Sequence, residues 1–191
     1  MKCAIFPLPI FLLPQGYTRL RIFEERYLRM VKESLKSETG FVLCNTDNTA
    51  NKGAIYEGVY VEIVDFSQDE SGYLLVDVYA LSSVNITNVV EDSTQLRYGD
   101  MIFEKRPLWR SNLDPKRCHH IELATMLEET FKNHPHISSL YKKQAFDTPV
   151  WVASRWLELL PLENGQKEKI KTVTDFEQVV DFLHTVLIES K

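Results

Sequence analysis

Up to about residue 112 apolar and polar side chains alternate with a period of two, and beyond it apolar positions recur every three to four residues. That change of period predicts strands first and helices after. Strands are predicted at 3–6, ended by Pro7, and at 17–23, with Pro14-Gln15-Gly16 as the turn between them. Residues 24–36 switch to helical spacing, with Tyr27, Val31 and Leu35 on one face, Glu24 and Glu25 in the first turn, Lys32 and Lys36 in the last, and Gly40 as the stop.

Further strands are predicted at 41–44, 58–66, 73–79, 84–90 and 101–104. The acidic run 67–72 makes a hairpin of two of them, and Tyr98-Gly99-Asp100 reads as the last turn. The polar run 45–52 reads as a surface loop. After a hinge at 107–112, Asp114-Pro115 starts a helix that runs to Asn133, with Ile121, Leu123, Met126, Leu127 and Phe131 as its buried positions. Thr148-Pro149 starts another, through Trp151 and Trp156 to Pro161. Thr174 and Glu177 form a capping box for the last helix, whose Phe176, Val179, Val180, Leu183, Val186 and Leu187 make an apolar stripe. The pattern predicts an α+β chain with a β subdomain at 1–112, carrying one helix, and a helical subdomain at 113–191.

Composition excludes several classes. The chain has 191 residues, 44% hydrophobic and 26% charged, with seven Gly and eight Pro, the balance of an ordinary globular protein. A formal charge of −5 is the wrong sign for a broad nucleic-acid face. Cys3, Cys44 and Cys118 are odd in number and widely spaced, so they give neither a disulfide framework nor a CxxC signature, and a reducing cytoplasm is expected. The apolar N-terminus imitates a secretory signal, but Pro7, Pro9 and Pro14 would break its helix and the run is too short to span a bilayer.

Catalytic sets are missing from the pattern. No GxSxG, GxGxxG or GxxxxGK[ST] motif occurs. Cys118-His119-His120 and His134-Pro135-His136 have poor spacing for one ion, because adjacent helical residues point about 100° apart. No metal and no cofactor is expected. Glu24-Glu25 and Glu128-Glu129 read as solvated helix faces.

The stretch Phe6-Pro7-Leu8-Pro9-Ile10-Phe11-Leu12-Leu13-Pro14-Gln15-Gly16, followed by Leu20-Arg21-Ile22-Phe23-Glu24-Glu25-Arg26-Tyr27 and Met30-Val31, resembles the opening of the Lon protease N-terminal, substrate-binding domain. Ala153-Ser154-Arg155-Trp156-Leu157-Glu158-Leu159-Leu160-Pro161-Leu162, with the Lys-containing short helix after it, resembles that family's helical tail. In the middle, where members carry a G-x-x-R-F-like strand, this chain has Ala80-Leu81-Ser82-Ser83-Val84-Asn85-Ile86. The resemblance implies a PUA-like antiparallel β pseudobarrel followed by a C-terminal α-helical bundle. It also implies a stand-alone, non-catalytic module for unfolded or flexible polypeptide, presenting it to a protease or chaperone.

Such a module needs an apolar, accessible patch near an open sheet edge or a seam. Ile10, Leu12 and Leu13, on a loop stiffened by Pro9 and Pro14, and Leu108 and Trp109 in the hinge, are the candidate polypeptide-binding residues. The competing expectation is that Leu12, Leu13 and Trp109 cover the ends of the barrel. An RNA-binding PUA-like module is the alternative function, resting on Arg19, Arg21, Arg26 and Arg29. Arg21, Glu24 and Arg26 are expected to form a charge network between strand and helix.

Overall fold

The computed structural model describes residues 2–44, 55–104, 109 and 118–189. The chain divides into two compact units, Met1–Lys105 and Arg106–Lys191.

The first unit holds β1 (Lys2–Pro7), β2 (Tyr17–Ile22), α1 (Glu25–Ser37), β3 (Phe41–Cys44), β4 (Tyr56–Gln68), β5 (Leu74–Glu91) and β6 (Arg97–Phe103). The strands lie in the order β2-β5-β4-β3-β1-β6, and a further pairing of β5 with β6 closes five of them into a barrel. One pairing departs from the antiparallel expectation: β1 and β3 run parallel, with Ile5 opposite Val42. The helix α1 between β2 and β3 is long enough to carry the chain back so that β3 starts at the same end as β1.

Strand β5 is continuous from Leu74 to Glu91, where the pattern suggested two strands. One of its edges follows β4; the other is shared, Leu74–Tyr79 with β2 and Val84–Glu91 with β6. The register against β4 passes from Tyr60 opposite Ser82 to Val61 opposite Ala80, so Leu81 is a bulge. A one-residue insertion inverts the alternation beyond it. Val76, Val78 and Ala80 therefore belong to one core, with Leu20, Ile22, Tyr27, Met30, Val31, Phe41, Leu43, Val59 and Val61. Val84 and Ile86 belong to a second, with Cys3, Ile5, Val42, Cys44, Tyr60 and Met101. All five ring strands contribute to the second core, which is the barrel interior, whereas the first lies outside the ring, where α1 and β2 cover it.

Two glycines expected at turns serve close approach instead. Gly99 lies within β6, opposite Cys3, and a Cβ there would meet Ile86 Cγ2 at 2.3 Å. The turn before β6 is made by Asp92, whose Oδ1 accepts the main-chain N–H groups of Thr94 and Leu96. Gly40 is not the stop of α1. Glu38 takes the left-handed conformation there (φ 53°), and a Cβ on Gly40 would meet the Val61 carbonyl oxygen at 2.0 Å.

The second unit holds α2 (Cys118–Asn133), α3 (Pro135–Ser138), α4 (Pro149–Leu159), α5 (Asn164–Lys171) and α6 (Phe176–Glu189). Leu123, Leu127, Phe131, Trp151, Trp156, Phe176, Val179, Val180 and Leu183 are buried. Ile121 is not, at 54% exposure, because it lies two residues from Leu123 and on the opposite face of α2. The Trp156 indole N–H donates to the Leu123 carbonyl at 2.9 Å, fixing α4 against α2. At the start of α6 the cap is Asp175, whose Oδ1 accepts the Glu177 N–H at 3.1 Å, and not Thr174.

Arg155 on α4 is wholly buried, at 0% exposure, and donates from Nε and Nη2 to both oxygens of Glu158 at 2.7 Å. Its guanidinium lies over the rings of Trp151 and Tyr141 at 5.5 and 5.9 Å. Lys167 of α5 is buried beside this pair and donates to the Glu158 carbonyl at 3.0 Å, and burial pushes its amine below the usual lysine range.

Candidate functional site

Between β1 and β2 the chain runs over the outer core as a loop tied down by its own main chain. The Leu8 N–H donates to Cys44 O and the Ile10 N–H to Leu8 O, both at 2.9 Å, and the Gly16 N–H donates to Leu13 O at 3.0 Å. Leu8, Ile10 and Leu12 are half-buried and pack against that core, as do Ile63 of β4 and Leu74 of β5. These form its apolar rim. Phe66 of β4 stands opposite Val76 and so shares its face of the sheet, yet it is 59% exposed. The other sequence candidates lie elsewhere. Leu13 is 2% exposed and Trp109 5% exposed, so neither presents an open surface as it stands. Trp109, in the second unit, donates its indole N–H to Ile170 O at 3.2 Å and lies 5.4 Å from Phe176, ring centre to ring centre. Leu108 lies outside the described residues.

Sequence reasoning missed Ile63, Leu74 and Phe66. No local signal marks them. They come together only through the pairing of β2, β5 and β4, and a second register shift between Ile63 and Asp65 keeps Ile63 and Phe66 on one face.

Each of the four arginines faces a carboxylate. Arg19 binds Asp77 at 2.6 Å, Arg21 binds Asp69 at 2.7 Å, Arg26 binds Glu24 at 2.7 Å, and Arg29 binds Asp92. The expected network of Arg21, Glu24 and Arg26 is thus split, because the hairpin between β4 and β5 brings Asp69 to Arg21. The Arg29 guanidinium, with help from Thr94, holds the Asp92 carboxyl well below the usual carboxylate range.

Among the described residues no three His, Cys, Asp or Glu side chains are arranged to hold a metal ion. His119 of α2 faces Asp181 of α6 at 3.0 Å, His120 lies 3.6 Å from Glu177, and His184 bonds Glu122. All three pairs join α2 to α6. Burial pushes the thiols of Cys3 and Cys44 up to about 11, which makes them poor nucleophiles. No helix among the described residues is long and apolar enough to cross a membrane.

What the arrangement offers is therefore an apolar rim on a closed barrel, without a metal-binding cluster among the described side chains. A family model described as the ATP-dependent protease La (LON) substrate-binding domain matches residues 2–190. The chain belongs to the Lon substrate-binding domain family. Among solved structures it is similar to the Lon N-terminal domain protein from Xanthomonas campestris, with 27% identity, a TM-score of 0.68 and 96% of each chain covered. It shares its fold with the N-terminal domain of Mycobacterium avium complex Lon protease, at 12% identity, a TM-score of 0.62 and 96% of each chain covered. A search of curated proteins finds no match. The Lon-type architecture is thus shared along nearly the whole chain, helices included.

Proposed function

We propose that this domain binds unfolded or flexible polypeptide, without catalysing a reaction on it, and presents it to proteolytic machinery. The observation that carries the reading is the rim of half-buried Ile10, Leu12, Ile63 and Leu74 beside exposed Phe66, in a chain whose family is that of a substrate-binding domain. An apolar surface on a pre-stiffened loop loses little conformational entropy when a client covers it. Its contacts are non-directional, which suits clients of varied sequence. Leu13 and Trp109 are buried, each in its own unit, so the client-facing role falls to Ile10 and Leu12. RNA is disfavoured because a phosphate would have to displace a carboxylate from each of Arg19, Arg21, Arg26 and Arg29.

The test is a double substitution, Ile10→Ser with Leu12→Ser, assayed by fluorescence anisotropy with reduced, carboxymethylated lactalbumin as the unfolded probe. Affinity is expected to fall about tenfold, equivalent to ~1.4 kcal/mol, while the melting temperature changes little. Unchanged affinity in a folded double variant, or tight binding of single-stranded RNA in place of the polypeptide, overturns the reading.

A further inference from the structure

The hydrogen bonds at the start of β2 show which of its main-chain groups are already used. The Ala80 N–H donates to the Gly16 carbonyl at 2.9 Å, and the register continues from Tyr17 opposite Tyr79 to Ile22 opposite Leu74. Facing pairs in an antiparallel ladder alternate between bonded and non-bonded. Thr18, Leu20 and Ile22 therefore turn their N–H and C=O groups to β5, and Arg19 and Arg21 turn theirs away from it. β2 ends the strand order, and no described residue bonds to those four outward groups.

A row of unpaired main-chain groups at a sheet edge is a template for another strand, and proteins commonly guard it with charged side chains or proline. Here the guard is cancelled. Arg19 is held by both oxygens of Asp77 at 2.6 and 2.7 Å, and Arg21 is held by Asp69 on the hairpin and lies over the Tyr73 ring at 4.3 Å. Both cations are neutralised and drawn along the sheet surface.

We propose that the outer edge of β2, at Arg19 and Arg21, takes an extended segment of the client polypeptide as an added strand. The inference rests on the reading of the domain as a polypeptide binder and supplies the mode of binding. Main-chain hydrogen bonds give affinity without regard to client sequence, and the pleat sets which client side chains matter. Every second one continues the row of Leu20 and Ile22, both buried in the outer core, so the preferred segment is extended, free of proline, and apolar at alternate positions.

The experiment compares Arg21→Pro with Arg21→Ala in the full chain, again with reduced, carboxymethylated lactalbumin. Proline deletes the outward N–H while leaving the bonds to β5, a position where an edge strand tolerates it. Arg21→Pro is expected to weaken binding about tenfold, and Arg21→Ala, which keeps the N–H, to bind like the parent. Equal binding by both variants overturns the strand mode while leaving the apolar rim standing, because Ile10→Ser with Leu12→Ser tests that separately. If Arg21→Pro does not fold, amide exchange of the parent protein decides. The Arg19 and Arg21 N–H groups should exchange freely alone and become protected at least tenfold with the probe bound, and exchange unaffected by the probe sinks the proposal.

Discussion

Gly99 and Ile86 approach so closely inside the barrel that a Cβ on the glycine would stand 2.3 Å from Ile86 Cγ2. Neither can yield easily, since Gly99 is strand backbone bonded in the ladder and Ile86 is 1% exposed within the interior core. Gly99→Ala is expected to destabilise the first unit by about 3 kcal/mol, the range of overpacked cores. Urea unfolding followed by far-ultraviolet circular dichroism measures it, and a loss below about 0.5 kcal/mol would show that the interior has room.

The Asp92 carboxyl is tied first to Arg29 and then to Thr94, and its acidity is raised accordingly. A carboxylate with a depressed folded-state pKa stabilises the fold above its unfolded value of about 3.9, and that contribution disappears as pH falls through the folded value. Asp92→Asn should therefore lower the urea midpoint at pH 7, and the gap to the parent should narrow at pH 3. A gap that stays constant between the two pH values would assign the effect to the turn geometry alone.

Glu158 is the carboxylate of the buried Arg155. Removing it leaves a cation with 0% exposure among aromatic rings, a situation that costs about 3–5 kcal/mol. All three tryptophans lie in the second unit, so tryptophan emission excited selectively, away from tyrosine absorption, reports on that unit. Glu158→Ala is expected to shift the fluorescence-detected unfolding of the full chain by several kcal/mol, and a shift below 1 kcal/mol would mean that Arg155 finds another anion.

Cys3 and Cys44 have thiols raised to about 11 by burial. At pH 8 the thiolate fraction is then about one in a thousand, and alkylation follows the thiolate. Iodoacetamide labelling mapped by mass spectrometry should leave both residues unmodified in the native protein and label both once urea has unfolded it. Native labelling at the denatured rate would contradict their place in the core.

The sequence made the strands, α1 and the main helices legible because each has a clean period over several residues. Where the period fails, so does the reading. At 80–83 the bulge at Leu81 inverts the alternation, and one long strand looks like two. Glycine carried the wrong message at 40 and 99, since a turn and a crowded strand both favour a missing side chain and only the neighbours, here Val61 and Ile86, distinguish them. The acids that neutralise Arg19 and Arg29 lie 58 and 63 residues further along, beyond any local pattern. Of the candidate site, Ile10 and Leu12 were visible as apolar residues in a loop, whereas Ile63, Leu74 and Phe66 needed the sheet to be assembled first.

The place of β1 in the sheet, between β3 and β6, has a consequence for how the chain is made. The first strand of the unit is bonded to its last, Cys3 opposite Gly99, so nearly the whole unit must be synthesised before the ring can close. Until then Ile5, Val42 and Ile86 have no common interior. The β4–β5 hairpin, joined by a short local turn, can form early and wait. This domain thus passes through an open, apolar stage during its own synthesis, and its yield during translation should depend on keeping that nascent stage from other chains.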